Sequence, residues 1–114
     1  MTTPQLTTLD HDGWMIDDGE VAHAENPEEF WIPPLIDRQS LEPGEIAKIR
    51  FYIRTVNKSG EVVDHGERMW VQVKERLGDW YFGVLDNDPH CTEDIRSGLP
   101  LWFQARDVIA IYHD

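Results

Sequence analysis

The chain has 114 residues and a formal net charge of -12, with 22 acidic and 10 basic residues. Its length predicts one domain, residues 1–114, and its 40% of apolar residues is typical of a folded protein, not a disordered one. The strong negative charge argues against nucleic acids and anionic membranes as partners, because both require a basic surface.

The acidity is concentrated near the N-terminus. Residues 1–46 have a net charge of -10 and one base, Arg38, whereas residues 47–114 have a net charge of -2. Two explanations of this acidity stay open. A high net charge keeps any protein soluble, and an acidic surface can also recognise a cationic partner.

The N-terminal part of the chain shows signals for short elements. Residues 1–12 are polar and predict a flexible lead-in, and Gly13–Ile16 predicts a short strand that ends in a turn at Asp17–Gly19. In residues 26–32, an asparagine N-cap, a proline and two acids predict a short helix, which the prolines at 33 and 34 would end. A second helical turn is expected in residues 34–41. Together, residues 13–46 form an acidic N-terminal segment.

From residue 47 onward the pattern is typical of strands: apolar side chains alternate with polar ones in 49–54 and 68–74, and 80–85 is a fully apolar run. The predicted strands are 49–54, 68–74, 80–85, 101–103 and 108–112, with a hairpin connection at 57–60 and a tight helical turn at 104–107. The fold class that follows is α+β and mostly β. We expect a small, strongly bent antiparallel sheet or an SH3-like, partly open barrel, with a short N-terminal helix.

Few residues suggest chemistry. The histidines lack metal-ligand spacing, and the single cysteine, Cys91, cannot form an internal disulfide. The loop Asp86–Cys91 could bind a cation, but Asp-Asn-Asp-Pro is also ordinary turn sequence. His90 and Cys91 could act as a nucleophilic pair, although a lone cysteine is more often a small packed residue. We therefore expect no catalytic residue, no metal and no cofactor.

Binding surfaces are the better candidates. Trp70 lies on the strand face opposite to Met69, Val71 and Val73, so it either packs beneath Phe30 and Trp31 or forms part of an interface. The first alternative is favoured because a tryptophan on the outer face of a sheet is normally covered by another segment of the protein. The predicted binding residues are Asp17, Asp18, Glu20, Glu25, Glu28, Glu29, Trp31 and Trp70.

Several short motifs resemble the YegJ-type bacterial domain of unknown function. They are Glu67–Val71, Gly83–Pro89 and the pattern from Phe103 to Ile109, and the resemblance spans roughly residues 44–112. It implies a small α+β or barrel-like domain without an established activity, similar to domains found near bacterial toxin systems. It supplies no catalytic residues. The chain departs from the family pattern at Leu99-Pro100, where a Gly-Asp turn is expected.

These observations predict a non-enzymatic, cytoplasmic protein that binds a cationic protein partner, most concretely an immunity protein that neutralises a cationic bacterial toxin. The start of the chain has neither a basic region nor an apolar run, so we expect no signal peptide. Two alternatives stay open. One is a structural or regulatory module whose charge serves solubility, and the other is a ligand- or metal-binding protein that uses the Asp86–Cys91 loop.

Overall fold

The computed structural model of the chain describes residues 3–113, and strands dominate it. Three short helices lie in the N-terminal half: α1 (Leu9–Asp12), α2 (Gly19–Glu25) and α3 (Leu35–Arg38). The strands are β1 (Trp14–Ile16), β2 (Ile46–Val56), β3 (Val62–Leu77), β4 (Trp80–Leu85), β5 (Pro100–Gln104) and β6 (Val108–Ile111). A single 3-10 turn (Ala105–Asp107) separates β5 from β6.

The strands form one antiparallel sheet in the order β1-β2-β3-β4-β5. Strand β3 pairs with the whole of β2, so β1 and β6 share the other edge of β2. The register shifts between Lys48 and Ile49 and again between Val73 and Glu75, and such bulges increase strand bending. The sheet curls into a half-barrel, which confirms the predicted fold class.

Alternation along the strands places the core on the inner face of the half-barrel. Ile49 lies opposite Met69, and both are buried, whereas Arg50 lies opposite Arg68 on the outer face. This agrees with the inner and outer faces predicted for these strands. The largest fully buried side chains are Tyr81, Phe51, Phe103, Ile49, Ile53, Leu85, Val71, Val73 and Val108.

Two glycines permit close approaches that larger residues would prevent. A Cβ atom on Gly83 would lie 2.6 Å from the Gln72 carbonyl oxygen, and one on Gly19 would lie 2.7 Å from a methyl carbon of Ile109. Gly83 therefore lets β4 pass closely over β3, and Gly19 lets the start of α2 pack directly against β6.

The position predicted for the N-terminal helix was wrong. The helix spans Gly19–Glu25, and Asn26 ends it instead of starting it, because its backbone N–H donates to the Ala22 carbonyl. The Asp18 carboxylate accepts hydrogen bonds from the backbone N–H groups of Glu20 and Val21. The Asp-Asp-Gly sequence that suggested a turn is thus the N-cap of α2.

Two other elements predicted near the N-terminus are present, and the predicted lead-in contains a helix. β1 and α3 lie where a strand and a second helical turn were expected. The lead-in predicted for residues 1–12 contains α1, which is capped by the Thr8 side chain at one end and by Gly13 at the other. Residues 1 and 2 of that lead-in lie outside the described residues.

Arg38 ties the N-terminal segment to the half-barrel. Its side chain is 6% exposed, and Nε donates to the Pro33 carbonyl at 2.8 Å. Its Nη1 donates to Glu20 Oε2 at 2.7 Å and to the Ala105 carbonyl at 3.0 Å. Its own carbonyl accepts a hydrogen bond from the Tyr81 hydroxyl. One guanidinium therefore joins α2, α3 and the 3-10 turn.

Replacement of this guanidinium should be costly even when the charge is kept. We expect Arg38→Lys to lower the free energy of unfolding by about 2–4 kcal/mol, because an ammonium group cannot match the planar fork that serves these acceptors. Glu20→Gln should cost less than about 1 kcal/mol, since the Glu20 carboxylate is largely solvated. Urea denaturation of both variants measures this, and equal losses would contradict the role given to Arg38.

Asp107 is a second buried charged residue, at the end of the 3-10 turn. Its side chain accepts a hydrogen bond from the Gln104 backbone N–H at 2.8 Å. Desolvation, with a smaller contribution from Asp18 and Asp17, raises the pKa of its carboxyl group to about 7, against the opposing effects of the Gln104 hydrogen bond and Arg106. The folded protein therefore holds a proton on Asp107 under conditions in which the unfolded chain releases it.

This pKa predicts a pH dependence of stability. The stabilisation is fully present below the unfolded pKa of Asp107, 3.8, and is lost as the pH rises through the folded value of about 7. We expect Asp107→Asn to exceed the wild type in free energy of unfolding by on the order of 3–4 kcal/mol at about pH 8, and the difference to shrink toward about pH 4. Urea titrations across this range test it, with the exposed Asp94→Asn as control. A pH-independent difference would refute the assignment.

Candidate binding surface

Three of the predicted binding acids make internal contacts. The Asp17 carboxylate pairs with the Arg50 guanidinium, Asp18 caps α2, and Glu20 pairs with Arg38. Asp17 therefore joins the N-terminal segment to β2, whereas Asp18 and Glu20 stabilise contacts within that segment.

The other three predicted acids, Glu25, Glu28 and Glu29, are exposed. Within residues 3–113, no ion pair involves their carboxylates. They follow one another between the end of α2 and Trp31, so they place negative charge on one short stretch of surface. Of the acids predicted to bind a partner, these three remain free to do so.

Trp31 is the predicted aromatic residue that the structure exposes. Its relative exposure is 67%, although both Phe30 before it and Pro33 after it are buried. The Phe30 carbonyl accepts a hydrogen bond from His23 Nδ1 at 2.6 Å, and the Pro33 carbonyl accepts one from Arg38. The indole is therefore presented to solvent by a loop that is anchored on both sides.

Phe30 anchors this loop to the outer face of the sheet. Its ring lies between two guanidinium groups, with the carbon of Arg50 4.8 Å from the ring centroid and that of Arg68 5.1 Å away. Phe30 also packs with Ala22 and Ile109 in a small buried cluster. Cation–π contacts of this kind add to the apolar burial that holds the loop in place.

Trp70 lies on the outer face, as predicted, but the expectation that it packs beneath Phe30 and Trp31 was wrong. Its ring meets the edge of Tyr112 at a centroid distance of 5.9 Å, and Lys48 Nζ lies 4.8 Å from the ring centroid. The end of the chain and a neighbouring strand thus cover it partly. The sequence does not indicate that the segment after β6 runs along β2 and so brings Tyr112 next to Trp70.

The sequence did not single out several exposed apolar side chains near the acids. They lie on α2 and α3, and they are Val21, Leu35 and Ile36. Val21 was missed because the helix was expected at 26–32, which left Val21 in an irregular stretch. With Trp31, they give the N-terminal segment apolar as well as acidic surface.

A cleft of about 360 Å³ separates α3 from the ends of β4 and β5. Arg76 crosses it, with its guanidinium bound to the Gln39 and Gly78 carbonyls and stacked 5.2 Å from the Tyr81 ring centroid. Glu20, Asp79 and Arg106 also line it. Its charges are mixed, and the Arg76 guanidinium already has partners.

The Asp86–Cys91 loop is hydrogen-bonded to Glu67 and Trp70 of β3. Asn87 Oδ1 accepts a hydrogen bond from the Trp70 backbone N–H, and Asp88 accepts one from Ser97. The Glu67 carboxylate accepts hydrogen bonds from the backbone N–H groups of His90 and Cys91. Across residues 3–113, no group of three or more histidine, cysteine and acidic side chains is arranged to hold a metal ion.

Cys91 is held as a thiol. Desolvation, together with the adjacent Glu67 carboxylate, raises the pKa of the Cys91 thiol to about 11. Desolvation alone would raise the pKa of Glu67, but hydrogen bonds from His90 and Cys91 bring it below its ordinary value. A neutral thiol beside a carboxylate is a poor nucleophile near pH 7.

Removal of the Glu67 charge should therefore activate Cys91. We expect Glu67→Gln to increase the rate of modification by a thiol-specific disulfide reagent about tenfold at fixed pH, because the thiolate fraction rises as the thiol pKa falls. Glu93→Gln, an exposed acid in the following loop, is the matched control and should leave the rate unchanged. An equal rate in wild type and Glu67→Gln would show that Glu67 does not set the thiol pKa.

Comparisons with known proteins add no relative. The chain matches no protein-family model, and neither a curated protein nor a solved structure gives a significant match. The resemblance to the YegJ-type family therefore stays a prediction from the motifs. Of the helices in the described part of the chain, none has the length and apolar character needed to cross a membrane.

Proposed function

We propose that this protein is a non-enzymatic protein-binding domain, and that its partner contacts the surface formed by Glu25, Glu28, Glu29 and Trp31. The observation that carries the proposal is the exposure of Trp31 on an anchored loop. A loop whose backbone is already anchored loses little conformational freedom on binding, and tryptophan is enriched among residues that dominate interface energetics.

The charge beside Trp31 supports a cationic partner. Glu25, Glu28 and Glu29 are exposed, and no described basic residue forms an ion pair with them. The whole chain adds to this field with its net charge of -12. Such a surface attracts a basic protein over distances of about one Debye length and increases the association rate.

Neutralisation of a cationic bacterial toxin is the most concrete form that this binding could take. It rests on the acidic segment and on the motif resemblance to domains found near toxin systems. In this form, the surface around Trp31 would cover basic residues that the toxin needs for its own target.

Affinity capture from an extract of the source cell tests the proposal. We expect wild-type protein to retain a basic protein at low salt, and salt of about 0.5 M to weaken that retention. Trp31→Ala should lower the affinity about 30-fold, the effect of losing a strong interface residue. The double variant Glu28→Gln/Glu29→Gln should mainly slow association, because it removes steering charge.

A matched control separates this surface from general acidity. Glu93→Gln/Asp94→Asn removes two exposed charges from a different loop and should leave retention unchanged. Equal binding by wild type, Trp31→Ala and the Glu28/Glu29 double variant would contradict the proposal. Retention of no protein under any condition would favour the alternative in which the charge serves solubility only.

A further inference from the structure

Three basic residues lie together on the outer face of the sheet: Lys48 and Arg50 on β2, and Arg68 on β3. Arg50 and Arg68 are directly opposite each other in the register, and Lys48 is opposite Trp70. Like charges at opposed positions destabilise a sheet, and this chain has 22 acids that could have paired with them.

Only Arg50 of these three has a carboxylate partner among the described residues, and that partner is Asp17. Lys48 instead lies over the Trp70 ring, and the Arg68 guanidinium lies over the Phe30 ring. These aromatic contacts hold both cations in position but do not neutralise them. Lys48 and Arg68 are thus held in position by aromatic rings and can bind an anion.

A groove lies between these two cations and the Trp31 loop. Its volume is about 270 Å³, slightly below the range of sites for drug-sized ligands, so it fits a small group. Both cationic and apolar side chains line it. Phe30, Trp31 and Ile109 supply the apolar wall, and Glu29 is the acid among the described lining residues.

We propose that this groove binds a carboxylate attached to a small apolar group. Lys48 and Arg68 would contact the carboxylate, and the exposed Trp31 indole would make most of the contact with the apolar part, beside the small accessible surfaces of Phe30 and Ile109. A free aromatic acid and the C-terminal residue of a peptide share this chemistry. The inference goes beyond the proposed function, since it assigns a ligand to Lys48 and Arg68, although the groove shares Glu29 and Trp31 with the acidic surface.

Three probes separate the sources of the carboxylate. Phenylacetate represents a free acid, N-acetylphenylalanine represents a peptide C-terminus, and N-acetylphenylalanine amide has the same apolar ring without the charge. In two-dimensional NMR titrations of the full chain at millimolar probe, we expect either acid to shift the Trp31 indole and the backbone signals of Lys48 and Arg68. The acid that binds more tightly identifies the source, and the amide should bind at least about tenfold more weakly.

Charge variants locate the site. Lys48→Gln and Arg68→Gln should each weaken binding of the preferred acid about tenfold, because each removes a charge-assisted contact. Lys58→Gln, in the exposed hairpin connection, is the matched control and should bind as wild type does. Thermal melting of each variant, compared with wild type, verifies that the fold is kept.

Glu29 distinguishes this inference from the proposed function. Glu29→Gln removes a negative charge from the groove, so it should strengthen binding of the acid several-fold while it weakens binding of a cationic protein. Equal binding of acid and amide would overturn the inference. So would the absence of shifts at Trp31, Lys48 and Arg68 with both acids, or unchanged binding in folded Lys48→Gln and Arg68→Gln variants.

Discussion

The arrangement of the N-terminal segment depends on the buried guanidinium of Arg38. Arg38 is the only lysine or arginine in residues 1–46, and its guanidinium donates hydrogen bonds to two carbonyl groups and to Glu20. Without it, the Pro33 and Ala105 carbonyls would lose a buried donor, and α2 and α3 would lose their common attachment to the half-barrel. The surrounding surface keeps its negative charge because its one positive charge faces inward.

The predicted binding acids therefore fall into two groups. Asp17, Asp18 and Glu20 act as ion-pair and cap partners within the protein, although Glu20 is itself exposed, whereas Glu25, Glu28 and Glu29 face solvent and form no ion pair with the described basic residues. The Trp31 loop stands at the border between those exposed acids and the basic groove of Lys48 and Arg68. Charges of both signs near one exposed tryptophan let a partner be oriented as well as attracted.

Much of the sheet could be predicted from the sequence, because alternation in β2 and β3 marks the buried face directly. Strand β4 was placed at its observed bounds by its apolar run between two turns. The N-terminal helix could not be placed, since Asp18 and Asn26 are both good caps and the contacts that favour the first, such as Gly19 with Ile109 and Glu20 with Arg38, are tertiary. The site was predicted in part. Trp31 and the exposed acids are visible in the sequence, but the meeting of Lys48 and Arg68 depends on strand register, which composition does not encode.

The shared edge of β2 has a consequence for how the chain must assemble. β1 and β6 come from distant parts of the sequence, yet they lie end to end along that edge. Until both arrive, β2 presents unpaired backbone groups on a strand with alternating apolar side chains, which is a template for pairing between molecules. Loss of either strand would therefore expose part of the β2 edge, and that edge is covered only when β1 and β6 are both in place.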